Sequence, residues 1–283
     1  MVIALAGYNG FIGKQLQKAF RDQDLILLDR NELYGNTAVL SDKINNADVL
    51  INTAGYNVAR RWTKKNRIKI QESRVRVTEN LVEAMRLCEK GPGVFINASA
   101  IGIYRQGKVH DEYSYSTGDD FLAQVVQQWE ETAEKTGSKT RIVLIRLGVV
   151  LGNQGGAFPR LYKLFRMGLG GVIGSGKQVI SFVHVDDVID SIRFLIDKNS
   201  QGAFNITAPN PVTNREFTRS LAAHLRRPAF FRIPALAFYV LMGKAASIIL
   251  KGQTVYPKKL LEAGYKFNFA TIDETFEHIV NQS

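Results

Sequence analysis

The sequence predicts an α/β protein built on a doubly wound parallel sheet, followed by a smaller carboxyl-terminal lobe. Three observations carry that prediction. Short Val- and Ile-rich apolar runs alternate with helical stretches, a glycine-rich turn joins the first run to the first helix, and the chain becomes punctuated by proline from about residue 203. Continuous apolar runs bounded by turn signals suit strands covered on both faces, and their alternation with helices marks a parallel sheet.

The expected strands are Val2 to Ala6, Leu25 to Leu28, Val49 to Asn52, Val94 to Ala98 and Ile142 to Leu147. Helices are expected over Gly10 to Asp22, Arg67 to Cys88 and Asp120 to Lys135, the second carrying Leu81, Val82, Met85 and Leu87 at helical spacing. Beyond residue 203, Pro209, Pro211, Pro228, Pro234 and Pro257 break the chain into short pieces, with a helix from Asn214 to Arg226 capped by Thr213 or Asn214. The apolar stretch Ile233 to Leu250 has Pro234 at its edge and Lys244 inside it, so it reads as a buried helix broken at Gly243 rather than a membrane span. The expected division is a nucleotide-binding lobe over 1–205, with 153–180 a loop bordering the cleft, and a substrate lobe over 206–283. A lobe beyond the carboxyl ends of the strands closes a cleft where open α/β sheets bind ligands.

With 283 residues, 45% of them apolar, the chain can bury a sizeable core and is neither disordered nor collagen-like. Its single cysteine, Cys88, and four histidines without zinc-ligand spacing exclude a disulfide framework and lead us to expect no metal and a reducing, cytoplasmic setting. Met1 to Gly7 does not read as a signal peptide. The formal charge of +11 favours an anionic partner. No nucleic-acid reader motif accompanies that charge, so a small anionic molecule is expected rather than nucleic acid or membrane. A protein partner or homodimer stays open.

Gly7-Tyr8-Asn9-Gly10-Phe11-Ile12-Gly13 follows the first strand and opens the first helix, with GxxGxxG spacing. Gly7 allows the tight turn, Gly10 lets the backbone approach a pyrophosphate, and Gly13 lets helix and strand pack closely, with Asn9, Phe11 and Ile12 filling the loop. The second strand ends at Asp29-Arg30. A carboxylate there bonds a ribose 2′-hydroxyl and favours NAD, whereas a guanidinium attracts a 2′-phosphate and favours NADP. On chemistry alone both cofactors stay open.

These residues, with Ile51-Asn52-Thr53-Ala54-Gly55, Arg61-Trp62-Thr63, Ser73-Arg74-Val75, Ala98-Ser99-Ala100-Ile101-Gly102-Ile103-Tyr104, Arg146-Leu147-Gly148-Val149-Val150-Leu151-Gly152, Ser181-Phe182-Val183-His184-Val185-Asp186-Asp187 and Pro257-Lys258-Lys259-Leu260-Leu261-Glu262-Ala263-Gly264, resemble the extended short-chain dehydrogenase/reductase superfamily. The resemblance is to its atypical epimerase-like branch, labelled NAD-dependent epimerase/dehydratase or, in bacteria, cell-division inhibitor. It covers nearly the whole chain. It implies a Rossmann lobe whose glycine loop, Arg30 and Thr53, Ala54 and Gly55 hold the cofactor, NADP in preference to NAD, and a small lobe that accepts a sugar-like substrate. The stretch Asn31 to Asn46 is shorter than the branch has there, so one helix or strand of the adenine side is expected to be missing.

The resemblance also implies a serine that holds the substrate oxygen, and a tyrosine with a lysine four residues on whose charge lowers a phenol pKa of about 10. Ser99 takes the first role. The helix that should carry the pair has Phe121 and Val125 at the relevant spacing, and Tyr104-x-x-x-Lys108, the one literal match, contains Gly107 and follows Ser99 too closely. Tyr104 remains the alternative proton donor. Asn52, Asn57, Arg60, Arg61, Asp120, Arg160 and Lys177 are further candidates for lining the cleft, and Arg60 to Arg76 holds eight basic residues against Glu72. Gly171 to Lys177 imitates a phosphate loop but continues with Gln178 where Ser or Thr is required. His184 reads as structural. The expected function is an NADP-dependent oxidoreductase or epimerase without the usual tyrosine and lysine; the alternative is a cofactor-binding sensor or protein-interaction module.

Overall fold

The computed structural model describes residues 1–114 and 116–282. Its central sheet has six parallel strands: β1 (Val2–Ala6), β2 (Asp24–Leu28), β3 (Val49–Asn52), β4 (Val94–Ala100), β5 (Arg141–Leu147) and β6 (Gly202–Ile206). Their order is β6-β5-β4-β3-β1-β2. The first five match the expected runs. The sixth lies where the composition changes, and its pairing of Gly202 to Ile206 with Val143 to Leu147 extends the sheet.

The pleat divides the strand residues between two cores. Ile3, Leu5, Val49, Ile51, Ile96 and Val143 pack with Leu16 of α1 (Phe11–Ala19) and with Val188 and Ile192 of a later helix, Val185–Asp197. Ala4, Ala6, Leu50, Phe95 and Leu144 face the other way, toward α2 (Arg30–Tyr34), α3 (Thr37–Ile44) and the helix Val75–Leu87. The two short helices α2 and α3 occupy the stretch expected to be reduced. Among the described residues no strand pairs with the outer side of β2.

Arg67 to Cys88 is not one helix but two, α4 (Lys64–Glu72) and α5 (Val75–Leu87), broken at Ser73 and Arg74. The helix α6 (Phe121–Ala133) follows β4 as expected. The segment 153–180 is not a simple loop: it contains α7 (Phe158–Arg166) and the strands Gly171–Ile173 and Val179–Ile180. Leu151, Phe158, Phe165 and Phe182 from this part of the chain build a third core with Phe217 and Leu221 of α9 (Asn214–His224) and Phe276 and Ile279 of α11 (Ile272–Asn281). The helix between β5 and β6, α8 (Val185–Asp197), is tied to the last segment of the chain through Asp187, which accepts the backbone N–H groups of Asn268 (2.8 Å) and Phe269 (3.0 Å).

The apolar stretch Ile233 to Leu250 breaks at Gly243, which has φ +58°, as expected. Its first helix, α10 (Ala235–Met242), is not buried, and none of its side chains lies in a core. No described helix is long and apolar enough to cross a membrane.

Candidate nucleotide site

β1 neighbours β2 on one side and β3 on the other, so the strand order reverses around it and a crevice opens at the carboxyl ends of β1 and β3. Thr53 ties the two loops together: its N–H (3.0 Å) and its hydroxyl (3.1 Å) both donate to the Ala6 carbonyl. At Gly7, with φ +83°, a Cβ would lie 2.6 Å from the Ala54 nitrogen; at Gly13 it would lie 2.2 Å from the Gly7 carbonyl oxygen. The closeness of these segments therefore excludes side chains. Gly10 is the N-cap of α1 and offers no side chain, so the first N–H groups of the helix keep their hydrogen-bonding capacity and dipole for an anion.

The crevice holds about 250 Å³, and its lining includes Gly7, Tyr8, Asn9, Gly10, Arg30, Tyr34, Thr53, Ala54, Gly55, Tyr56, Lys69, Glu72 and Ser73. Seven of the residues expected to hold a cofactor thus come together. Phe11, Ile12, Gly13 and Asp29 do not line it. The Phe11 ring instead occupies the space over Gly152, Gly155 and Gly156, where a Cβ would meet it at 2.5 to 3.3 Å. Asp29 is diverted by a capping box: its carboxylate accepts from Glu32 N–H (2.9 Å) while the Glu32 carboxylate accepts from Asp29 N–H (2.6 Å). Arg30 faces the crevice, with its guanidinium 5.5 Å from the Tyr34 ring and Arg76 at 5.6 Å from the same ring.

The break between α4 and α5 serves this site. Ser73 Oγ accepts the Tyr56 N–H at 2.8 Å, and Arg74 donates to the carbonyls of Tyr56 and Ile70, both at 3.1 Å. Arg74 is held beneath Gly55 and over the Trp129 ring, and burial lowers its pKa to about 10. Ser73, Arg74, Tyr34 and Tyr56 were not singled out for the site from the sequence.

A family model described as the NAD dependent epimerase/dehydratase family matches residues 3–207, and a domain of unknown function (DUF1731) matches residues 233–279. The chain belongs to the NAD-dependent epimerase/dehydratase family. It is 32% identical over 302 residues to the epimerase family protein SDR39U1 homolog, chloroplastic, of Arabidopsis thaliana, covering 99% of this chain and 87% of that protein. The crystal structure of human epimerase family protein SDR39U1 (isoform 2) with NADPH superposes with a TM-score of 0.93 at 30% identity, covering 100% of both chains. The nucleoside-diphosphate sugar epimerase of Corynebacterium glutamicum gives a TM-score of 0.80 at 27% identity over 100% of this chain and 58% of that one.

Against the serine, tyrosine and lysine implied by this epimerase family, α6 carries neither tyrosine nor lysine anywhere in its sequence FLAQVVQQWEETA. Phe121 packs edge-on to Trp62 (5.2 Å) with the Arg67 guanidinium over its ring (4.4 Å), and Val125 is buried. Ser99 and Tyr104 come together, but inside the protein and not at the crevice; each is only 2% exposed. Ser99 sits opposite Arg146 in the β4/β5 register and donates its hydroxyl to Glu130, which also receives Arg146 Nε (2.8 Å) and its terminal nitrogen (2.7 Å). The Tyr104 hydroxyl donates to Asn205 Oδ1 and accepts from Arg146, both at 2.9 Å. Burial raises the Tyr104 pKa despite the nearby Arg146 charge, the opposite of what a proton-transferring phenol needs.

Three further expectations resolve. Asn52 is fully buried and donates to Asn97 Oδ1 (2.8 Å) and Thr78 Oγ1 (3.1 Å), so it supports the β3 loop from below and does not line the cleft. Asp120 is the N-cap of α6, accepting the Ala123 N–H at 3.0 Å. His184 caps α8 through Nδ1, which accepts the Asp186 N–H at 3.1 Å. Burial, with a smaller push from His278, lowers its pKa to about 3.

Proposed function

We propose that this chain binds NADP(H) in the crevice and acts as an epimerase- or reductase-type oxidoreductase on an anionic, sugar-like substrate, without the tyrosine and lysine pair, in the cytoplasm. The observation that carries the reading is Arg30 turned into a glycine-walled crevice while the neighbouring carboxylate, Asp29, is occupied by Glu32. The NADPH bound by human SDR39U1, a relative matched over its full length, supports the same cofactor. Gly7, Asn9, Gly10 and the start of α1 hold the diphosphate, Arg30 takes the 2′-phosphate, and Thr53, Ala54 and Gly55 border the ribose and nicotinamide side. When bound, the nicotinamide supplies or accepts a hydride.

Arg60, Arg61, Arg67 and Lys69 draw the anionic substrate to the crevice, and the lobe over 206–283, with α7 and its flanking strands, closes over it. The name of the Corynebacterium relative supports a nucleoside-diphosphate sugar as the substrate class. Among the crevice phenols, Tyr56 has a hydroxyl that accepts a guanidinium hydrogen bond, from Arg60 at 3.3 Å, and it or a water moves the proton. Ser99 and Tyr104 serve as buried supports for the ends of β4 and β5. The absence of tyrosine and lysine from α6 favours a second reading, a cofactor-binding sensor that has lost turnover. Calorimetry with NADPH, followed by nicotinamide absorbance with a panel of nucleoside-diphosphate sugars, tests both. Binding with turnover supports the enzyme, binding without turnover the sensor, and failure to bind NADPH overturns both.

A further inference from the structure

From Phe217 to Leu261 the chain carries eight lysines and arginines and no Asp or Glu. Lys135 to Val185 carries no acid either. These two stretches meet where the strand Phe231–Ile233 pairs with Gly171–Ile173, just past the end of α7. At this meeting point and along α10, which follows it, large apolar side chains stand in solvent: Phe230 is 92% exposed, Phe231 61%, Leu236 71%, Val240 66% and Leu241 74%. Met167 and Leu169, after α7, add to them at 53% and 56%. A groove beside Phe230 is lined by Arg215, Arg219, Arg227 and Arg232. Glu216, the acid that precedes the stretch, is engaged with Thr213 in the capping box of α9.

We infer that this face is a docking surface for an anionic lipid bilayer, seated through α10 and the Phe230–Phe231 corner. The reading is independent of the cofactor site and reverses the expectation that no membrane is a partner. The bilayer interface offers both things the face lacks: acyl chains for Phe230, Leu236 and Leu241, and anionic headgroups for the arginines. With eight residues, α10 rises about 12 Å and lies in the interface rather than crossing it. A second copy docked about a two-fold axis sets this basic face against itself with no acid to answer it. A nucleic-acid backbone neutralises the arginines but leaves the exposed apolar side chains in water.

The test is co-sedimentation with phosphatidylcholine vesicles, pure or containing about one third phosphatidylglycerol. The protein is expected to bind the anionic vesicles at least about tenfold more tightly than the neutral ones, and less tightly as salt rises. A Phe230→Ser/Leu241→Ser variant and an Arg227→Glu/Arg232→Glu variant should each lose at least about tenfold in affinity at low salt while keeping the wild-type melting temperature, because all four side chains are exposed. Equal binding to both vesicles, no binding, or undiminished binding by the apolar double variant overturns the proposal. So does a solution dimer that Leu241→Asp dissociates while vesicles fail to bind, or retention on duplex DNA that exceeds vesicle binding.

Discussion

Asp29 and Arg30 are adjacent and carry opposite implications, and the residue that separates them is Glu32. The D-x-x-E spacing is that of a capping box, so the sequence already held the signal that the carboxylate belongs to the helix terminus. Charge-assisted hydrogen bonds are worth about 1.5–3 kcal/mol. Arg30→Ala should therefore weaken NADPH roughly 10- to 100-fold and leave NADH nearly unchanged, as calorimetry would show; parallel losses for both would place the 2′-phosphate elsewhere. Ser99→Ala should lower stability by about 1–3 kcal/mol in urea without changing NADPH affinity. Glu130→Ala should cost more, about 3–5 kcal/mol, because it leaves Arg146 buried without its carboxylate. A turnover defect in Ser99→Ala without loss of stability would return the serine to a catalytic role.

Helices and strands were legible where pattern and caps agreed. The parallel strands appear as read, and of the two expected caps of α9 the structure uses Thr213, which Glu216 closes into a box. The α4/α5 break was not legible, because Ser73 and Arg74 are tolerable in a helix and leave it only to clasp the Tyr56 loop, which is distant in sequence. His184 gives a test at this scale. Its pKa is depressed from 6.5 to about 3 by burial and then by His278, so the unfolded chain binds the extra proton first. The stabilisation is complete above about pH 6.5 and is lost at up to about 1.4 kcal/mol per pH unit as pH falls toward 3. Urea titrations from neutral to acid pH should show this slope, and His184→Asn, which can still cap α8, should flatten it. An unchanged slope in the variant would assign the acid sensitivity to other groups.

For the whole molecule, the cofactor crevice lies between loops whose ends are joined by Thr53 and Ala6, so ligand and sheet stability are coupled. NADPH at about 100 times its dissociation constant should stabilise the fold by about 2.7 kcal/mol. That should appear as a raised melting temperature, with a smaller rise for Arg30→Ala at the same concentration; no rise in the wild type would remove the crevice from consideration. The carboxyl-terminal half was less legible than the sheet. Its core takes Phe158 and Phe165 from residues that read as a bordering loop, and its most apolar helix, α10, is left outside every core.

By itself the sequence determined the parallel sheet, the glycine turn and the lack of a tyrosine and lysine on α6, because strand runs, helix starts and residue identities are local properties. Only the tertiary structure decided that Ser99 and Tyr104 close onto Glu130 and Arg146, and that α10 faces solvent. The burial of Ser99 and Tyr104 depends on partners more than thirty residues away, brought close by the packing of the sheet and its helices.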